Sequence, residues 1–177
     1  MVDCQRDFLP GGALAVPDGD QVIEPLQAAA EEADLVIASR DWHPKDHASF
    51  DVNGGPWPVH CVQETKGAQI HPKIRKLAKH IISKGMDPKR EAYSAFAGET
   101  LRPKAYLEDI LKENHIRRVL VGGLALDVCV GYTALDASAL GYHTIVLIDA
   151  SRAVDPAEEA KMLNIFKPAG VLVQTIT

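Results

Sequence analysis

The sequence predicts an α/β protein, a three-layer α/β/α sandwich around a mostly parallel central sheet. Three observations predict it. Short β-branched runs recur along the chain, amphipathic stretches with helix-capping signals lie between them, and 46% of the 177 residues are hydrophobic, enough for one substantial core. Strand–helix alternation forces right-handed crossovers, which put helices on both faces of the sheet. One domain, 1–177, is expected.

In chain order, Met1-Val2-Asp3 reads as the end of a first strand. Two residues before Asp3 fall short of a usual strand, so the numbered chain is expected to begin inside it. Runs 35–38, 80–83, 119–121, 144–148 and 171–173 are dense in Leu, Val and Ile, the pattern of strands buried on both faces. Helices are expected over 102–114, where Leu107, Ile110 and Leu111 recur at helical spacing behind Pro103, and over 127–140 and 156–166. Residues 40–70 have no period, yet gather Asp41, Trp42, His43, His47, Trp57 and His60 among prolines and glycines. An irregular segment this long inside a compact domain is usually functional.

The bulk properties exclude several classes. Nineteen Lys and Arg against 24 Asp and Glu give a formal charge of −5, so nucleic acid is not an expected partner. No apolar run approaches the roughly 20 residues that span a bilayer, and the N-terminus lacks a signal-peptide pattern. A soluble cytoplasmic chain without a membrane partner is the expectation. Cys4, Cys61 and Cys129 are odd in number, which argues against a disulfide framework and leaves a thiol for chemistry.

The segment 122–130 runs from a strand into a helix, so Cys129 is expected in a first helical turn beside unpaired backbone N–H groups, a location that lowers a thiol pKa. Asp3 and Lys84 follow strands in the same way, and ligands of open α/β sheets bind outside the carboxyl ends of the strands. Taken singly these are a buried Cys, a turn-capping Asp and a solvated Lys; their equivalent places give them weight together. In water, proton transfer from Cys to Asp is uphill by roughly 6 kcal/mol. Lys84 and the helix terminus favour the thiolate, and burial raises the Asp3 pKa, which narrows that gap. Asp3 is then suited to take the thiol proton and return it to a leaving group, with the N–H groups of Ala125 and Cys129 holding an oxyanion. Cys4 points to the opposite face and reads as core. Cys61, beside His60, is expected near the pocket but not as the nucleophile.

Asp41-Trp42-His43 aims a carboxylate and an imidazole to the same side of an extended chain, and His60 can supply a third ligand. One Asp and two His suit Zn, Mn or Fe and leave positions open, so one divalent ion is expected, zinc first. His47 is either a fourth ligand or a hydrogen-bond partner of one.

With these residues in view, the chain resembles the nicotinamidase branch of the isochorismatase-like cysteine hydrolases over nearly its full length. The matching segments are residues 2–8, 40–44, 47–50, 57–61, 83–85, 93–96 and 123–130. The resemblance implies a triad of Asp3, Lys84 and Cys129, a metal on Asp41, His43 and His60, and a cis peptide before Ala125 beside the oxyanion hole. It further implies hydrolysis of nicotinamide through a thioester in NAD salvage, with pyrazinamide as a second substrate. Phe8, Trp57, Tyr93, Leu124 and Phe96 become the candidates to hold the ring, and a homodimer or larger assembly is a family expectation. Leu126 stands where this branch often has Thr, which removes no reacting group. The alternative is a related cysteine hydrolase acting on another small amide or an N-carbamoyl compound.

Overall fold

A computed structural model of the chain describes residues 1–176. Among them five strands form the frame: β1 Ile37–Asp41, β2 His80–Lys84, β3 Arg118–Leu124, β4 His143–Arg152 and β5 Leu172–Gln174. β1 pairs with β2, and β3, β4 and β5 form a second ladder, every pair parallel. Met1 and Val2 join the two ladders. The Met1 amino group donates to Ile37 O at 2.9 Å and Ser39 N–H donates to Met1 O at 2.9 Å. On the other side Val2 N–H reaches Gly122 O at 2.8 Å and Leu124 N–H reaches Val2 O at 2.9 Å. The strand end expected at residues 1–3 therefore lies at the centre of the sheet. Gly123 is required there: its φ is +131°, and a Cβ would stand 2.1 Å from Val2 O.

The helices are α1 Ile23–Glu31, α2 Pro72–Leu77, α3 Leu107–Glu113, α4 Gly131–Ala139 and α5 Pro156–Phe166. Successive residues of β4 show the layering. Ile145 and Leu147 pack with Leu26 of α1 and Ile74 of α2, whereas Val146 packs with Ala134 of α4 and Met162 and Phe166 of α5. Alternate side chains of one strand thus serve opposite helical layers, the geometry of a three-layer sandwich.

Local chemistry moves several boundaries. The run 35–38 yields a strand only from Ile37, and it extends to Asp41. The helix expected over 102–114 starts at Leu107, because Thr100 Oγ1 donates to Pro103 O and accepts from Ala105 N–H, closing a turn; Pro103 lies in that turn after a cis bond rather than in the helix. The helix expected over 127–140 is divided into a π-helical turn, Leu126–Val130, and α4. α5 occupies the expected 156–166, with the Asp155 carboxylate accepting from Ala157 N–H at 2.9 Å. A cavity of about 340 Å³ lies between the amino-terminal halves of β1 and β3, and none of Asp3, Lys84 or Cys129 lines it. No described helix is long and apolar enough to cross a membrane.

Candidate active site

The parallel register of β1 and β2 places Asp41 directly beside Lys84 at the carboxyl ends of the strands. Asp3 leaves the central segment of Met1 and Val2 with a left-handed φ of 46°, and the π-turn after β3 carries Cys129. Lys84 Nζ stands 2.9 Å from Asp3 Oδ2 and 3.4 Å from Cys129 Sγ, donates to Asp41 Oδ1, and donates to Ala92 O at 3.1 Å. Oxygens of Asp3 and Asp41 and Cys129 Sγ all lie within 4.8 Å of one another. Exposure is 0% for Asp3, 1% for Lys84 and 6% for Cys129, so these charges interact with little screening. Ser39 Oγ donates to Asp3 Oδ1 at 2.6 Å. Oδ2 makes its ion contact with Lys84 outside hydrogen-bond geometry, which leaves a lone pair to receive a proton. The peptide Leu124–Ala125 is cis, and Ala125 N–H donates to no protein acceptor among the described residues. Asp127 anchors the π-turn, its carboxylate accepting from Val154 N–H at 2.9 Å and Asp155 N–H at 3.0 Å.

Burial sets the proton inventory. It raises the Asp3 carboxyl pKa even though Lys84 pulls it down. Burial opposes the Lys84 charge, but Asp3 and Asp41 outweigh it and hold the ammonium well above its ordinary value. Asp41 is the reverse case: burial would raise it, and Lys84 with His43 instead keeps it well below the usual carboxylate range. The Cys129 thiol is pushed well up, first by burial; Lys84 pulls it down, and Asp3 and Asp41 raise it again. This corrects the expectation of a lowered thiol pKa, because two buried carboxylates and the loss of solvent outweigh one ammonium and a short turn.

Asp41, His43 and His60 converge beside Asp3, Lys84 and Cys129. His43 Nε2 is 3.6 Å and His60 Nε2 3.9 Å from Asp41 Oδ2. His43 Nδ1 lies 2.9 Å from Gly85 O and His60 Nδ1 lies 2.7 Å from Pro58 O. A carbonyl can only accept, so Nδ1 carries a proton in both rings, and that contact turns each Nε2 toward the Asp41 oxygen. Two imidazole nitrogens and one carboxylate oxygen form a donor set that fits a divalent ion with open positions, and the carbonyl contacts to the far ring nitrogens are the kind that orient metal ligands. Gly85 belongs to this arrangement, since a Cβ there would stand 2.4 Å from His43 Cε1. His47 packs its ring on His43 at 4.1 Å, and both its nitrogens are engaged, Nδ1 with Ser49 Oγ at 2.7 Å and Nε2 with Arg90 O at 3.1 Å. These contacts place it against His43, outside the group of Asp41, His43 and His60.

Phe8, Leu14, Asp41, Trp57, His60, Glu91, Tyr93, Ala125, Val128, Cys129 and Val154 line a narrow cleft of about 30 Å³ over the thiol. Trp57 Nε1 donates to Tyr93 Oη at 3.1 Å, tying two of the expected aromatic walls together. Two other expected ring contacts are not brought to the cleft. Phe96 packs in the cluster of Ile82, Leu107 and Ile110 with its ring 6.3 Å from Tyr142, and Leu124 is 1% exposed in the main core. Strand alternation and the short turn after Ser94 point them away from the thiol. Sequence reasoning missed Leu14, Glu91, Val128 and Val154, which carry no pattern of their own, and two clamps, the buried Gln5 and the half-buried Asp7. Asp7 Oδ2 accepts from Cys61 N–H at 2.8 Å, holding the loop next to His60. Cys61 is fully buried in the core with its pKa raised by burial, and the buried Cys4 thiol is pushed up to about 12 for the same reason. Neither lines the cleft that Cys129 faces.

The isochorismatase domain model matches residues 1–177. The nicotinamidase of Escherichia coli (strain K12) is 38% identical over 99% of this chain and 93% of its own length. Among solved structures, the pyrazinamidase of Pyrococcus horikoshii in complex with zinc is 41% identical with a TM-score of 0.87, covering 99% of this chain and 96% of that one. PnC1 from L. infantum in complex with nicotinate superposes with a TM-score of 0.89 at 36% identity, over 99% of this chain and 90% of that one. A match over the whole sequence, with this fold beneath it, means that the chain belongs to the isochorismatase family of hydrolases.

Proposed function

We propose that this amidohydrolase is a metal-dependent nicotinamidase that forms a thioester on Cys129, with pyrazinamide as a second substrate, in NAD salvage. One observation carries the reading. Asp41 is shared, with Oδ1 on Lys84 Nζ and Oδ2 facing His43 and His60, so a nucleophile cluster and a metal-ligand cluster meet at one buried carboxylate. The names of the relatives supply the substrate: nicotinamidase for the E. coli protein and pyrazinamidase for the zinc-bound neighbour.

In this mechanism Cys129 Sγ attacks the carboxamide carbon while Asp3 Oδ2 accepts the thiol proton. The carbonyl oxygen becomes an oxyanion, for which the free Ala125 N–H and the Cys129 N–H are the donors. Asp3 returns the proton to the leaving nitrogen, the C–N bond breaks, and ammonia departs. Water then attacks the thioester, giving up one proton to Asp3 as the carboxylic acid forms, and that proton reprotonates the sulfur. Lys84 keeps its charge throughout and limits the repulsion between Asp3 and Asp41. Asp41, His43 and His60 would hold the ion, zinc first with iron or manganese as alternatives, and the chemistry it would supply there is Lewis-acid polarisation of the substrate. Phe8, Trp57 and Tyr93 are the walls for the ring. Assembly as a homo-oligomer in the cytoplasm completes the reading.

Ammonia and nicotinate release from nicotinamide tests it, with intact-mass detection of an acyl adduct on Cys129. Wild-type protein is expected to release both and to show the adduct on rapid quenching, and Cys129→Ala to do neither. Full ammonia release by Cys129→Ala would overturn the covalent scheme.

A further inference from the structure

We propose that Gln5 is the positioning residue for the metal ligand Asp41. The inference rests on the metal reading above and adds a residue to it. The Gln5 side chain is fully buried, and each of its polar groups is used. Oε1 accepts from Asp41 N–H at 2.7 Å, and Nε2 donates to Asp41 O at 2.8 Å and to Ala68 O at 2.9 Å. The orientation of the amide is therefore unambiguous, since only the nitrogen can face two carbonyls.

The reason for such a clamp lies in the sheet. Asp41 ends β1, where β2 covers one edge, and the central segment that should cover the other turns away at Asp3 with its left-handed φ of 46°. At the level of Asp41 the carboxamide of Gln5 takes the place of a neighbouring strand's peptide, supplying both the acceptor and the donor that a ladder partner would. Gln5 also pairs in antiparallel fashion with Ile70, so one side chain ties β1 to the N-terminal segment and to the far end of the loop that carries His43 and His60.

Both Asp41 oxygens have work to do, one against Lys84 and the other toward His43 and His60. Their direction depends on how firmly the Asp41 peptide is held, because a site tolerates only about 0.5 Å or 10–20° of error.

The test compares Gln5→Met, which deletes all three bonds, and Gln5→Glu, which keeps the size and an acceptor for Asp41 N–H but loses the paired donors. On full-length protein, zinc affinity is measured by competition with a chromophoric chelator, unfolding is followed without metal, and the Cys129 alkylation rate is measured without metal. Zinc binding about 10–100-fold weaker than wild type is expected in both variants. Activity should return with excess zinc, and alkylation should stay within about twofold of wild type. A variant that loses stability while its zinc affinity stays at the wild-type value overturns the proposal and leaves Gln5 a purely structural residue. Absence of zinc binding by the wild-type chain instead defeats the metal reading, so the two failures are distinguishable.

Discussion

Lys84→Met removes the cation from the centre of the site and replaces it with an apolar chain of similar reach. Nζ stands 2.9 Å from Asp3 Oδ2 and also holds Asp41, two carboxylates that are 0% and 4% exposed. Deleting it leaves both buried without their shared counter-ion. Breaking a buried ion pair by removing one partner costs about 3–5 kcal/mol, which in a chain of this size lowers Tm by about 6–20 °C. The pH dependence carries the sharper test. Lys84 is the group that pulls down both carboxyls, so in its absence both folded-state pKa values move upward from where Lys84 holds them. A carboxyl whose folded pKa is raised contributes stability below its unfolded value and loses it as the pH rises through the folded one. The deficit relative to wild type is therefore greatest near neutral pH and smaller at an acidic pH, where a carboxylate has taken up a proton. Urea unfolding of metal-stripped protein, followed by circular dichroism at both pH values, measures it. A deficit under about 1 kcal/mol, or one equal at the two pH values, would refute the account of Lys84 as the ion that makes this cluster tolerable.

Three further expectations concern individual residues. The acid limb of kcat/KM should have its midpoint above the ordinary Asp value of 3.8, because Asp3 must be ionised to take the thiol proton and burial raises it; Asp3→Asn should remove the limb and lower kcat by about 10²–10⁴-fold, and a pH–rate series on both proteins checks this. Trp57→Ala should raise KM for nicotinamide several-fold while Phe96→Leu leaves it unchanged, since only Trp57 lines the cleft; steady-state kinetics on the two variants decide the point. Asp127→Ala deletes two hydrogen bonds to the chain after β4 and should lower stability by about 1–3 kcal/mol, with a slower turnover if the π-turn sags, as measured by denaturation and initial rates.

Much of the site was legible because its chemistry uses scarce residue types at recognisable places. Asp3, Lys84 and Cys129 each follow a buried apolar run, and the parallel sheet does bring the ends of such runs together. Asp41-Trp42-His43 was legible through the two-residue period of extended chain. Phe96 was misjudged because aromatic character says nothing about direction, and the turn after Ser94 sends its ring toward Tyr142. Gln5 could not be read at all, since a buried amide shows its purpose only through its partners.

The sequence by itself determined the α/β class, the five strand-forming runs and a helix over 156–166, all of which follow from local composition and spacing. Only the tertiary structure decided the proton balance. Whether Lys84 or the carboxylates control the Cys129 thiol depends on distances across three strands and on the loss of water around them, and both are products of packing. It likewise decided the contacts of His47, whose ring nitrogens lie against Ser49 Oγ and Arg90 O, because the partners of an imidazole are set by whatever folds against it.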